Sequence, residues 1–215
     1  MTPLLPLIKN DVSDNLSAGI NIFYDCVLND VSRLTDSIRL RIEDIHAAHL
    51  KELPPGFAHS RKLYRAFSMD PTKHRPSSEA LWRRVKKGLE FPRVNPFVDL
   101  TNLLSLEYQV PYGLYDLDKV TGTVELRRGE VHHSYQGIRK DTVHLKGKPM
   151  LVDETGPFGN PSSDSQRTST TEQTNQILQV IFFLRDDPSK EMITAESHSR
   201  FLDFFTVSQS KSYLI

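Results

Sequence analysis

Three polar residues interrupt an otherwise apolar stretch: Asn95, Asp99 and Asn102 fall at i, i+4 and i+7, with Thr101 beside them. On a helix that spacing puts them on one stripe. A buried amide or carboxylate left unpartnered costs roughly 1–3 kcal/mol, so the stripe must either close into a structural hydrogen-bond network or line a wet pocket. Further along the chain, Asp164, Ser165, Arg167 and Thr168 offer similar material. Such groups bind a ligand or position a water; they do not make a strong nucleophile unaided. A second set is cationic. Arg83, Arg84, Lys86 and Lys87, near Arg75 and Trp82, form a face suited either to solvent or to phosphates.

Other chemistries lack their residues. The lone cysteine, Cys26, permits no internal disulfide and fits a reducing cytoplasm; in an apolar strand it reads as an inert buried thiol. The eight histidines show no zinc-type spacing, and adjacent His132 and His133 would point oppositely on a strand. No metal and no cofactor is expected, and Asp116 and Asp118 suit a turn. There is no P-loop, no G-x-G-x-x-G after a strand and no G-x-S-x-G elbow. Lys plus Arg equals Asp plus Glu at 27 each, so no long-range field draws in DNA, and any RNA contact must be local. No apolar run approaches the ~20 residues of a membrane span. The run over residues 2–8 is too short and proline-broken for a secretory segment.

Positioning these groups falls to a mixture of helices and strands. Ile20, Ile22, Phe23 and Val27 predict a strand within 17–29, and Val31, Leu34, Ile38, Ile42, Ile45 and His49 predict an amphipathic helix covering a sheet. Pro54, Pro55 and Gly56 end it. A short helical stretch over 61–67 leads to the turn-rich loop 70–76, the best candidate for an internal boundary. Ser77 is then a good N-cap and Glu79 a first-turn anion; Leu81, Val85 and Leu89 make an apolar stripe and Gly88 a stop. Asn95 and Pro96 start the next helix, which from Phe97 to Tyr108 is apolar nearly all round and should be buried. Short strands follow over 123–128, 134–138, 142–145 and 149–153, with turns at Gly129 and Gly147. Residues 156–165 read as a long turn-forming loop of the functional kind. A buried strand over 177–184 and a helix over 191–207, with Phe201, Phe204 and Phe205 on one side, complete the chain. At 215 residues and 38% hydrophobic content this is one globular domain, 1–215, of the α+β class.

Two ordered segments carry a resemblance. Asn95-Pro96-Phe97-Val98-Asp99-Leu100-Thr101-Asn102, then Pro111-Tyr112-Gly113-Leu114-Tyr115-Asp116-Leu117-Asp118-Lys119 and Gly122, resemble the B3/B4 domain of the phenylalanyl-tRNA synthetase β subunit. The frame from Arg75-Pro76-Ser77 to Asp153-Glu154 and the Gly156-Pro157-Phe158-Gly159 segment is similar to free-standing B3/B4 proteins, so the likeness covers about 63–183, with 1–62 packed onto it. The resemblance implies an unusual β-sandwich core with flanking helices, and a pocket that hydrolyses mischarged amino acid from tRNA by a positioned water, helped by the terminal ribose hydroxyl. It assigns the pocket pair to Thr101 and Asn102; around that pair the residues themselves offer Asn95, Asp99, Gly113, Gly156, Gly159, Asp164, Ser165 and Arg167 for the substrate, and the cationic face of Arg75, Arg83, Arg84, Lys86 and Lys87 for RNA. Two positions depart: the family's pocket histidine is Gly113 here, and its late-strand glutamate aligns with Val180, beside Gln179. Two functions stay open. One is a trans-editing deacylase of aminoacyl-tRNA; the other is a module that binds RNA, an amino acid or a metabolite without the reaction.

Overall fold

The computed structural model describes residues 8–10, 15–48, 54, 56–139 and 141–215. Residues 2–7, His49 and Pro55 of the segments named above lie outside them. The first half of the chain runs β1 (Ile8–Asn10), β2 (Leu16–Tyr24), β3 (Val27–Leu28), α1 (Val31–Ala48), α2 (Phe57–Ala66), α3 (Ser77–Lys86), α4 (Pro96–Tyr108) and β4 (Tyr112–Asp116). After a 3-10 turn at Leu117–Lys119 come β5 (Val124–Arg128), β6 (Ser134–Gln136), β7 (Thr142–His144), β8 (Pro149–Asp153), β9 (Gly156–Asn160) and β10 (Ser163–Asp164). The chain finishes with β11 (Ile177–Leu184), α5 (Lys190–Phe204), β12 (Phe205–Thr206) and β13 (Gln209–Leu214). Among these residues no helix is long and apolar enough to cross a membrane.

Two sheets form the centre, in the orders β1-β5-β8-β9-β10 and β13-β2-β11-β4. The second sheet is covered on both faces, which is why β2 and β11 read as nearly unbroken apolar runs. Alternate residues divide between two cores. Ile20, Ile22, Leu178, Val180 and Phe182 meet Val124, Leu126, Leu151 and Phe158 of the first sheet, as in a sandwich. Phe23, Ile177, Ile181 and Phe183 face the helices, packing with Leu34, Trp82, Leu100, Leu104 and Phe201. The mixed α+β architecture expected of the sequence is the one observed.

Several local expectations change. Ser77 is the first helical residue of α3, not its cap; Pro76 holds the cap position and no side chain bonds there. The buried face of α3 is Ser78, Glu79, Trp82 and Val85, while Leu89 is exposed. The indole drives this rotation, because it is the largest apolar surface on the helix. The 70–76 loop separates no independent bodies: Phe57 of α2 meets Trp82 of α3 edge to face, and Arg61 reaches across to Glu79. Residues 156–165 form the β9–β10 hairpin, and α5 spans Lys190–Phe204, with Phe205 already in β12. Cys26 is buried between β2 and β3, and burial followed by the Asp25 charge pushes its thiol up to about 12.

Candidate functional site

Asn95 starts α4 as its N-cap, its side-chain oxygen accepting from the Val98 amide at 3.0 Å, while Pro96 presets the first turn. Asp99 folds back on the same entry, taking the Val94 amide at 2.8 Å and the Arg93 guanidinium at 2.9 Å. Burial raises the Asp99 pKa, opposed by the Val94 amide and Arg93. Both residues therefore anchor the helix start, and the polar stripe that matters is shifted by one position. Val98, Thr101, Asn102 and Ser105 stand at i, i+3, i+4 and i+7 and form one wall of a cavity of about 1000 Å³.

The other walls come from five places. Tyr112 and Leu114 of β4 form its back, and Ser162, Ser163 and Asp164 of the β9–β10 hairpin one side. Ser169 and Thr170 close it beyond the hairpin, with Thr170 held by the Asn95 amide at 3.1 Å. Ile138, Arg139 and Asp141 contribute from the turn between β6 and β7, and Arg75, Ser77, Arg83, Arg84 and Lys87 stand along α3. Leu89, Val94 and Ile138 are exposed at the mouth.

Thr101 is oriented from behind by two buried amides. The Asn21 side-chain nitrogen meets two carbonyl oxygens, Gln179 Oε1 at 3.0 Å and the Thr194 carbonyl at 3.3 Å, so it must be the NH₂ end. Gln179 consequently turns its own NH₂ toward Thr101 Oγ1, 3.2 Å away. With an acceptor lone pair occupied, the Thr101 hydroxyl hydrogen is left to point into the cavity as a donor. Asn102 is half-buried, and its amide makes no hydrogen bond to another described residue. Val180 lies on the opposite face of β11, in the sandwich core; the polar residue that the late strand turns toward α4 is Gln179.

Asp164 occupies an unusual place. It stands beside the outer edge of β4, where the Tyr115 hydroxyl donates to Oδ1 at 2.6 Å and the Leu114 amide donates to the carboxyl, substituting for a strand partner. Burial drives the Asp164 pKa up to about 7, with the two donors pulling the other way. Burial likewise holds the Tyr115 hydroxyl well above the usual tyrosine value, the Asp164 charge adding to it. The ring of Tyr115 lies over Gly113 and Gly159, where a Cβ on either would collide with it. Those glycines thus make room for the Tyr115–Asp164 contact and face away from the cavity.

Three more of the expected substrate contacts and one expected RNA contact lie elsewhere or behind the wall. Arg167 binds the buried Asp153 through two nitrogens at 2.9 and 3.1 Å and donates to the Gly156 carbonyl at 3.1 Å, a clamp between strand ends. Ser165 is buried against Thr168, their hydroxyls 3.1 Å apart. Lys86 packs over the Trp82 ring rather than at the cavity. Asp116 and Asp118 do serve the turn after β4, the Asp118 amide donating to the Asp116 carboxylate. Among the described residues no group of His, Cys, Asp or Glu could hold a metal ion. Sequence reasoning missed Ser105, Gln179 and Arg139. Gln179 could have been found as the lone polar residue inside β11, and Ser105 by extending the helical step from Thr101; nothing in the sequence marks Arg139.

A family model described as the B3/4 domain matches residues 59–202, adding α2 and most of α5 to the 63–183 span. No curated protein matches the sequence. Among solved structures, an N-terminal fragment of the phenylalanyl-tRNA synthetase beta-subunit from Pyrococcus horikoshii is similar at 12% identity and a TM-score of 0.43. That likeness covers 95% of this chain and 54% of the other, so the chain spans about half the length of that fragment.

Proposed function

The chain belongs to the B3/4 domain family, and from that premise we propose that it is an editing hydrolase, acting in trans to release a wrongly attached amino acid from aminoacyl-tRNA. The observation that carries the reading is the cavity itself. Its floor is made of uncharged hydrogen-bonding groups and its α3 side of cations, which suits an ester linked to a phosphate chain. The Thr101 hydroxyl, held by Gln179, donates to the ester carbonyl. The unengaged Asn102 amide holds the attacking water or the carbonyl oxygen as charge develops on it. Water attacks the carbonyl carbon, the ester C–O bond breaks, and the ribose oxygen leaves as a hydroxyl, with proton transfer assisted by the neighbouring ribose hydroxyl that the family resemblance implies. Arg75, Arg84 and Lys87 take the phosphates.

A panel of mischarged tRNAs tests this. We expect release of at least one amino acid above the uncatalysed rate, and a fall of about 100-fold in Thr101→Ala or Asn102→Ala, the size seen when one positioned donor is removed. Uniformly uncatalysed rates would remove the proposal.

A second reading, a module that keeps the pocket without the reaction, is favoured by one observation: Gly113 faces Tyr115, and β4 presents no imidazole to the cavity. Thermal stabilisation by a small amino-acid-like ligand together with no deacylation would select it.

A further inference from the structure

The buried carboxylates of this protein come with partners. Glu79 holds Arg61 and Arg83, Asp99 holds Arg93, Asp116 holds Lys119 and Asp153 holds Arg167. Asp187, which has no cation, accepts the Ser189 amide and hydroxyl in the turn before α5. Asp164 differs from all of them. It is half-buried, it lines the cavity, and its hydrogen bonds come from two neutral donors, Tyr115 and Leu114. Among the described residues no Lys, Arg or His lies within ion-pair distance of it. A carboxylate partly withdrawn from water without a cation is costly, and one that lines a cavity can take its countercharge from a ligand.

The cavity's charges are sorted. Four of its five cations, Arg75, Arg83, Arg84 and Lys87, come from α3 and its lead-in, whereas Asp164 stands at the hairpin and Asp141 in the β6–β7 turn beside the fifth, Arg139. α3 packs on α4, α4 on β4 and β4 on β10, so α3 and Asp164 are the two ends of the row that the cavity follows. Ser77 at the α3 end has a hydroxyl with no partner among the described residues. A ligand that satisfies both ends is bipolar, with an anion at α3 and an ammonium at the hairpin.

We infer that Asp164 is the specificity-determining residue that holds the free α-ammonium of the ligand, so that the cavity accepts an unblocked aminoacyl group and rejects an N-acylated one. This rests on the cavity being an aminoacyl site and names the part of the ligand that it reads. Acylation removes the charge and one donor, leaving the carboxylate without a countercharge; discrimination of that kind is strong, because a polar group of the site loses the partner it is built to meet.

Calorimetric titration with a panel of amino alcohols, the reduced forms of the amino acids, and with their N-acetyl derivatives tests the inference without any reaction. At least one amino alcohol is expected to bind wild-type protein, its N-acetyl form at least tenfold more weakly. Asp164→Asn, which still accepts from Tyr115, should weaken the amine at least tenfold and leave the N-acetyl form unchanged. The inference is overturned if no amino alcohol binds, if amine and N-acetyl forms bind alike, or if Asp164→Asn keeps the preference. The wild-type comparison alone decides the matter should that variant not fold. Amine preference without deacylation of any mischarged tRNA would sink the hydrolase reading only, whereas equal hydrolysis of N-acetylaminoacyl-tRNA and its unblocked form would sink this one only.

Discussion

Asp164 ties function to stability through a single proton. A carboxyl whose folded-state pKa, about 7, lies above its unfolded value of about 3.9 is protonated more readily in the folded chain. Its contribution to folding is therefore most favourable below about pH 4 and is lost as pH rises through about 7. The hydroxyls of Tyr115 from β4 and Tyr135 from β6, both raised by burial, stay protonated through that window, while Arg139 and Asp141 face it from the adjoining cavity wall. Asp164→Asn should thus match wild type in urea unfolding at pH 4 and exceed it by about 1–3 kcal/mol at pH 8. An equal difference at both pH values would show that the carboxyl is not desolvated. At this scale the sequence told residue chemistry better than residue address. Thr101, Asn102 and Asp164 do reach the cavity, because a helical step and a turn-rich segment restrict where they can point. Asn95 and Asp99 share the α4 stripe but lie in its first turn, where orphan backbone amides compete for every acceptor. Gln179 is invisible as a site residue until β11 is placed against α4.

The elements around the cavity are joined by ion pairs that no local pattern announces. Glu79, whose side chain is 0% exposed, receives Arg61 of α2 at 2.8 Å and Arg83 at 3.0 Å. Burial pushes its carboxyl up, but the two arginines overcome this and hold it below the usual carboxylate range. Glu79→Ala leaves those guanidiniums facing a hole, and we expect a loss of about 2–3 kcal/mol in denaturant unfolding; a change under 0.5 kcal/mol would mean that α2 and α3 are docked by apolar contact alone. The strands and helices themselves were largely legible, since β11 alternates between two cores and α1 repeats Leu34, Ile38, Ile42 and Ile45 at helical steps. The exceptions have physical causes. In α3 the indole of Trp82 outweighs Leu89 for the buried face. In 156–165, turn formers conceal a hairpin because Gly159 serves close packing against Tyr115 rather than a bend.

For the whole molecule, equal numbers of cations and anions leave no net charge to draw RNA in, so the proposed hold on RNA is a local one, at the α3 rim. Arg83 is committed to Glu79, so Arg84 and Lys87 are the variants that separate binding from folding. Reversing both to Glu should reduce the slope of log affinity against log salt by roughly 2 if each meets a phosphate, read by tRNA binding across a salt series; an unchanged slope would place the RNA elsewhere. The sandwich frame was expected only through the family resemblance. Strand order is not a local property, and nothing in β2 alone says that its neighbours will be β11 and β13. That arrangement has a bearing on how the molecule comes into being. Asn21 of β2 bonds Gln179 of β11, 158 positions later, and Ala18 exchanges hydrogen bonds with Ile215. As the ribosome delivers the chain, β2, which stands between the two cores, stays without either neighbour while the long stretch between it and β11 is made. Its sticky, unpaired flanks are then a hazard to nascent protein, so yield in a cell should depend on chaperones holding that one stretch apart until β11 and β13 have been made.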